Sequence, residues 1–577
     1  MYKLKSPSNI FTDDILEVVC RNRGIENIEK IKYPSKEDLI HYSKLVNMDK
    51  AVDVFSKYAE LDEIEIGMIV DSDTDGNTSS AILTRYIQKN LPNIKIHHYF
   101  HSGKQHGITK EAMKWIKENE NISLLFVPDA GSNDYEHHKE LYDNNIAVIV
   151  LDHHECPKIS EYAIVVNNQT SPEYSNKQLS GVGVTWKFLK ALDTRFNFND
   201  ADNYLDCVAV GIVADIMSVI TPENRYLVYE GIKNIKNEYI KEMIYKNIGK
   251  YDKVYPHTLS FNIIPKMNAI IRFATMDDKQ DMFKALIGVE ETFYNTRTKK
   301  EETLPQKATR LGTNAHGRQG RVKKKWLQEF REKIKNEGLD NNRFIIITID
   351  KDTKFDNELT GVLASGIAGE YRKPTLVLHH NKERDIYTGS LRGHDSVLKD
   401  TKEFLSELEL FEFIEGHGQA AGCGIKEENL EKLNSVINQH QFFELNENNP
   451  VVEVDFVVPF KNLNSKLVED VYTYEKYWGK GIEMPLFAIT DIEINTSKIK
   501  VSESGLIKWF DKGIEFAQFI GDRELIKVAQ QDKTLKLNVV GTLGVNSFLG
   551  NTTPQVIINE VEIVDIQEAK QGFELIW

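Results

Sequence analysis

Between Ile64 and Leu151 the chain repeats one rhythm, a short branched apolar run followed by an amphipathic segment. "IEIGMIV", "IKIHHYF", "ISLLFVP" and "IAVIVL" read as strands from their length and β-branched content. The intervening "NTSSAILTRYIQKN", "TKEAMKWIKENE" and "DYEHHKELYDNN" carry helical spacing. Strands joined through helices predict a doubly wound, mostly parallel sheet, because parallel neighbours need a crossover connection. Such a sheet places its ligands beyond the carboxyl ends of its strands.

Those ends are rich in metal-ligating side chains. "VDSDTDGNTSSAI" puts Asp71, Asp73 and Asp75 at alternate positions ahead of Gly76. The stretch could open a calcium-binding EF-hand loop, but position twelve of that loop, normally a bidentate Glu, is Ile82. The segment before it also reads as a strand rather than a helix, so the acidic lip of a catalytic metal site is the better reading. "LLFVP" ends in Asp129, and "AVIVL" ends in Asp152, His153 and His154. "GIVADIM" sets Asp215 in an apolar helical run, where a carboxylate is costly unless paired or metal-bound. Each feature alone has an ordinary explanation: a helix N-cap, a surface or core histidine pair, an ion pair of Asp215 with Arg225. Their coincidence at one rim favours a metal site. Mixed Asp and His ligands suit manganese or magnesium better than zinc, and bridging carboxylates suggest two ions.

The remainder of the 577 residues is too long for one core and suggests three or four domains. Beyond Gly181 the pattern turns helical and stays so to about residue 290. Residues 291–340 read as a basic connector ending in the helix "KKKWLQEFREKIKNEG". Within it, Thr303 to Leu327 holds seven Lys/Arg and no acid, in a chain of net charge −15. That fits a phosphate polymer meeting the protein along one path, or equally a solvated basic loop. A second α/β region begins at "RFIIITID", and short strands from Val451 onward suggest an OB-like barrel. There Trp509, Phe510, Phe516 and Phe519 are candidates for base stacking or, more readily, core packing; Trp326 faces the same choice. The first sixty residues read as helical, including "KEDLIHYSKLVNMDKAVDVFSKYAEL". Four scattered cysteines without a CxxC pair support neither a zinc knuckle nor a disulfide framework. With no signal-peptide stretch and no apolar run of membrane-spanning length, a soluble cytoplasmic protein is the default expectation.

The motifs "DSDTDG", "VPDAGSND", "LDHH" and "GIVADIM" resemble the DHH phosphoesterase superfamily, specifically RecJ-type single-strand DNA exonucleases. "LSGVGVTWKFL" and "IIPKMNAIIR" resemble further RecJ-type stretches. "TGVLASGIA", "RKPTLVL", "GSLRG" and "EGHGQAAGCG" resemble the accessory DHHA1 domain, and the tail resembles the RecJ OB-fold. The resemblance implies a DHH domain with an N-terminal helical extension over residues 1–290, the connector over 291–340, DHHA1 over 341–450 and the OB-like domain over 451–577. It implies two divalent ions, Mn2+ or Mg2+: Asp73 and Asp129 on one, and Asp75, Asp129, His153 and Asp215 on the other. Asp71 would be a ligand or a close neighbour of one. His154 would act near the scissile phosphate, with Asp152 positioning the histidine pair. Arg272, Ser390, Arg392 and His417 would touch the substrate. The implied activity is 5′ to 3′ hydrolysis of single-stranded DNA to 5′-mononucleotides, with a helicase or single-strand-binding protein as candidate partner and no membrane. Two other readings stand beside it: a DHH/DHHA1 phosphodiesterase of short oligonucleotides or small nucleotides, and a catalytically silent DNA-binding scaffold. The chain departs from the family pattern at Ala130, where Asn is usual, and at Glu415 and Gly418-Gln419 in the accessory motif. None of these departures removes an implied metal ligand; they bear on substrate end preference.

Overall fold

The computed structural model describes residues 2–6, 14–249, 253–382, 384–394, 398, 400–439, 451–502, 505–548 and 551–568. The chain forms two compact units: Arg23–Gln319 with Glu475–Glu483, and Met1–Asn22 with Gly320–Tyr474 and Met484–Trp577.

The first unit is built on five strands, β1 (Ile64–Val70), β2 (Ile94–Phe100), β3 (Ile122–Pro128), β4 (Ala147–Asp152) and β5 (Ile164–Asn167). Their order is β2-β1-β3-β4-β5, and every pairing is parallel. The winding reverses between β1 and β3, and the crevice at their carboxyl ends is where such a sheet binds ligands. β3 is buried at six of seven positions, as a parallel strand covered on both faces must be. Phe55, Phe126 and Phe188 meet at ring-centroid distances of 5.5, 5.8 and 5.9 Å and fix one covering layer to the sheet. Four helices frame the crevice: α1 (Thr74–Asn90), α2 (Gly181–Phe196), α3 (Leu205–Ala214) and α4 (Ile264–Phe273).

Two sequence expectations change in this unit. The proposed helix from Lys36 to Leu61 breaks into two 3-10 turns and the helix Met48–Ala59. Asn47, left-handed at φ 66°, separates the last turn from that helix. The backbone of Ile40 is also drawn outward: its N–H donates to Glu223 at 2.9 Å and its carbonyl accepts from Lys187 at 2.5 Å. The basic connector is a hairpin, Thr292–Asn295 with Lys300–Thr303, followed by a helix over Leu304–Glu337. The helix starts well before the "KKKWL" stretch. Its start is held by Arg310 on Glu302 at 3.1 Å and Lys307 on Asp281 at 2.7 Å; with Lys325 on Glu329 at 3.6 Å, at least three of the seven basic side chains are paired.

In the second unit, a five-stranded sheet orders Phe411–His417, Ala420–Ile425, Ile386–Arg392, Thr375–Asn381 and Ile345–Ile349. A mixed seven-stranded sheet is dominated by the ribbon Lys533–Phe548 and Asn551–Glu568. "VVEVDFVV" divides at Asp455, whose carboxylate accepts from Asn22 at 2.9 Å and from the Leu486 N–H at 3.0 Å. The piece before it, Val452–Val454, pairs in parallel with Tyr2–Leu4. Trp326 packs against Phe355 and Phe330, so packing claims it. Trp509 and Phe516 are buried and stacked at 5.0 Å, whereas Phe510 and Phe519 are exposed. Among the described residues no helix is long and apolar enough to cross a membrane.

Candidate metal centre

β1 delivers Asp71, and the chain turns directly into α1, with Asp73 as its N-cap accepting from the Gly76 N–H at 3.1 Å. Asp75 lies in the first turn, fully buried, and is held by a second helix. The Gly181 and Val182 N–H groups at the start of α2 donate to its two oxygens at 2.8 and 3.2 Å, and Ser180 Oγ donates at 3.3 Å. A helix N-terminus is a natural anchor for a carboxylate. Asp129 follows β3 with φ 66°, a left-handed conformation uncommon outside glycine, Asn and Asp. Its own N–H donates to the Leu151 carbonyl at 2.8 Å, which fixes this turn against β4.

The convergence is tight. His153 Nε2 lies 3.3 Å from Asp129 Oδ1 and 3.3 Å from Asp215 Oδ2. These three atoms are buried without a hydrogen-bond partner. Ligating atoms of Asp71, Asp73 and Asp129 lie within 4.8 Å of one another, as do those of Asp75, His153 and Asp215. Asp215 caps the end of α3, and Arg225 is turned elsewhere, donating to the carbonyls of Val219 and Tyr477 at 2.9 and 3.0 Å. Burial and the charge of Asp73 push Asp75 up to about 7; burial and the charges of Asp75 and Asp73 push Asp215 up to about 8. Burial and Asp75 also raise Asp129 far above the carboxylate range. Burial holds His153 down to about 4, leaving a neutral imidazole with a free ring nitrogen. A buried cluster of oxygens with one imidazole, its carboxylates pushed up by burial and mutual repulsion, is the donor set for hard divalent cations.

Asp152 is not part of that gap. Its Oδ1 accepts from the His153 and His154 N–H groups at 2.7 and 3.2 Å and from His154 Nδ1 at 2.8 Å, while Oδ2 accepts from Ser132 N–H. Burial opposes ionisation, but the hydrogen bond and charge of His154 hold Asp152 well below the carboxylate range. The same bond pushes the half-exposed His154 up to about 9. Asp152 therefore fixes the ring of His154 and only the backbone of His153. Arg272, on α4, donates to the Ser72 carbonyl at 3.4 Å and stands 3.8 Å from Asp73.

Several contributors escaped the sequence reading. His106 Nδ1 lies 2.7 Å from Asp71 Oδ2, and the Gly107 N–H donates to Oδ1 at 3.3 Å. The strand-end rule applied to β2, whose loop is "HSGKQHG", would have drawn attention to His106. Three glycines make room for the carboxylates. A Cβ on Gly76 would sit 2.5 Å from Asp71 Cβ, one on Gly181 2.1 Å from Asp129 Oδ1, and one on Gly211 2.3 Å from Asp75 Oδ1. Asn167 donates to the His154 carbonyl at 2.9 Å and Gln169 to the His153 carbonyl at 3.1 Å, bracing the pair from behind.

In the second unit, Ser390 Oγ and Thr360 Oγ1 are 2.9 Å apart. The Arg392 guanidinium lies over Gly361, where a Cβ would come within 2.6 Å of it, and burial lowers its pKa. The His417 side chain is outside the described residues. Gln419 is absorbed into packing, bonded to Thr401 at 2.8 Å and to the Leu398 carbonyl.

Comparison with known proteins agrees with this architecture. The DHH family, N-terminal domain, matches residues 65–212, and the RecJ OB domain matches residues 454–560. YorK, a candidate single-strand DNA-specific exonuclease from the SPbeta prophage of Bacillus subtilis (strain 168), is 36% identical over 98% of this chain and 99% of its own. The single-stranded-DNA-specific exonuclease RecJ of Bacillus subtilis (strain 168) is 26% identical over 94% of this chain and 67% of its own. The crystal structure of RecJ from Thermus thermophilus in complex with Mn2+ superposes with TM-score 0.69 at 20% identity, covering 96% of this chain and 76% of that one. Its Mg2+ complex superposes with TM-score 0.63. With a relative this similar along its whole length, the chain belongs to the RecJ family of DHH-type single-strand DNA-specific exonucleases.

Proposed function

We propose that this chain is a metal-dependent exonuclease of single-stranded DNA, releasing 5′-mononucleotides in the 5′ to 3′ direction. The observation that carries the reading is the convergence of three buried, unpartnered ligand atoms, Asp129 Oδ1, His153 Nε2 and Asp215 Oδ2. Asp71, Asp73 and Asp129 would hold one Mn2+ or Mg2+ ion, and Asp75, Asp129, His153 and Asp215 a second. Two such ions neutralise a phosphodiester and make a water nucleophilic near neutral pH. The chain's own residues do the rest. Asp152 fixes His154 through Nδ1, so the ring presents its other nitrogen to a phosphate or leaving oxygen as a hydrogen-bond or proton donor. Arg272 stands at the Asp73 edge, where its guanidinium can take a phosphate oxygen. Ser390, Arg392 and His417 are the proposed backbone contacts of the second unit. Polarity rests on the sequence resemblance. A helicase or single-strand-binding protein that exposes the strand is the partner class this activity calls for, and cysteines scattered at positions 20, 156, 207 and 423 suit a reducing cytoplasm.

A time course on 5′- and 3′-labelled single strands, with each metal in turn, tests the reading. Mononucleotides should appear from the 5′ end, and Asp129→Ala should abolish cleavage while single-strand binding survives. Near-normal turnover in that variant would refute the bridging role; binding without any cleavage by the parent chain would favour the scaffold reading.

A further inference from the structure

The face of α4 that leads away from the metal centre ends in an exposed aromatic. Ile263, Ile264, Met267, Ala269, Ile270 and Ile271 are buried, whereas Phe261, Pro265, Asn268 and Arg272 are not. Those four recur at the spacing of one helical face. At one end of the face, Asn268 Oδ1 accepts from Thr74 Oγ1 at 2.8 Å and Arg272 donates to the Ser72 carbonyl, so both residues touch the acidic turn that opens α1. At the other end, Phe261 is 68% exposed, a large apolar surface left in water. Eleven residues, or about 16 Å at the helical rise, separate it from Arg272.

Local structure gives the ring a fixed presentation. Phe261 belongs to a π-turn over Leu259–Ile263, whose wide winding buries Leu259 and Ile263 while turning Phe261 outward. Such turns are rare and are frequently found at functional sites. The Asn262 carbonyl in this turn accepts from Lys266 Nζ at 2.6 Å. The His257 ring braces Phe261 at 4.6 Å between centroids, and His257 Nδ1 is itself 3.3 Å from Glu475 Oε1.

We propose that Phe261, braced by His257, is a stacking platform for a nucleobase of the strand whose phosphate is taken near Arg272. A flat apolar ring three helical turns from an arginine at the metal centre, on one helix face, gives an unpaired strand a base contact a few nucleotides from a backbone contact. Stacking requires no base identity, so the platform favours strand length over sequence. The occupant's identity rests on the nuclease reading; the platform itself is a binding claim.

The test uses the full chain. In an Asp129→Ala background, which spares the strand, Phe261→Ala should weaken binding of a long single strand about ten-fold by fluorescence anisotropy, the range of one base–aromatic stack. Phe261→Trp should restore it. A 2-aminopurine placed a few nucleotides from the 5′ end should be quenched on binding, and Phe261→Ala should relieve the quenching. In the cleaving enzyme, the preference for a long strand over a dinucleotide should fall about ten-fold. Unchanged anisotropy in Phe261→Ala, or equal losses on the long strand and the dinucleotide, would overturn the platform. If the parent chain cleaves neither substrate, the nuclease reading falls, and the anisotropy comparison still decides the platform.

Discussion

At the scale of single residues, the metal centre depends as much on missing atoms as on ligands. Gly181 and Gly211 leave the space that Asp129 Oδ1 and Asp75 Oδ1 occupy, each within 2.3 Å of where a methyl would stand. Gly181→Ala and Gly211→Ala should therefore displace a carboxylate, and the thermal stabilisation conferred by added Mn2+ should shrink or vanish. The clash itself should lower stability by about 1–3 kcal/mol, readable by urea denaturation without metal. Buried histidines away from the centre set an acid limit. Burial holds His98 and His138 down to about 4, against 6.5 when unfolded. Protons therefore bind the unfolded chain first, and stability falls as pH drops from about 6.5 towards 4. Both ring nitrogens of His138 are buried without a partner, so His138→Leu should raise the melting temperature, and more at pH 5 than at pH 8. The acids and the histidine pair were legible in the sequence because strand ends in an α/β sheet are a defined place. His106 lay within reach of the same rule at the end of β2, but the room left by the three glycines did not, because a side chain's absence leaves no periodic mark.

At the scale of elements, the segment from Asn168 to Ser180 connects the sheet to the helix that grips Asp75, and a buried ion pair anchors it. Lys187 Nζ and Glu223 Oε1 are 2.6 Å apart, and the other Glu223 oxygen accepts from Tyr174 at 2.8 Å and Asn176 at 2.9 Å. Burial pulls the Lys187 pKa down while the charge of Glu223 holds it up, so the ammonium depends on its partner. Glu223→Ala should lower stability by about 3–5 kcal/mol in denaturant titration, since it leaves the buried Lys187 ammonium without its counter-charge and the Tyr174 hydroxyl and Ile40 N–H without an acceptor. The same network explains a misread element. The apolar spacing from Lys36 to Leu61 suits a helix, but the Ile40 N–H donating to Glu223 and its carbonyl accepting from Lys187 draw the chain into turns. The opposite error affected Leu304–Glu337. A basic stretch with few apolar residues reads as a loop, yet Leu304, Ala308, Ala315, Phe330 and Ile334 are buried along it. Local pattern failed where distant partners decided the outcome.

At the scale of the molecule, each unit completes itself with a segment from the far side of the sequence. The strand Tyr2–Leu4 belongs to the unit that holds the C-terminal sheets, where Tyr2 and Leu4 pack against a core of Val454, Ala488 and Val540. Residues 475–483 belong with the parallel-sheet unit, tied by Val219 N–H to the Lys480 carbonyl at 3.0 Å. Alternation and turn signals revealed the sheets themselves but could not reveal these exchanges, since three residues carry too little pattern to announce a partner some 450 positions away. Removing residues 1–5 should accelerate amide exchange at Val452–Val454 and Phe487–Ile489 and leave β1 to β5 unchanged. Faster exchange in β1 to β5 would contradict the assignment of that strand.

The pairing of Tyr2–Leu4 with Val452–Val454 also sets a schedule for synthesis. The ribosome makes one of these strands some 450 residues before the other. The parallel-sheet unit likewise receives residues 475–483 late, so neither unit can reach its final form while the nascent chain is short. Nuclease competence should therefore await synthesis of residues 475–483, and a polypeptide terminated before them should not be a partly active enzyme.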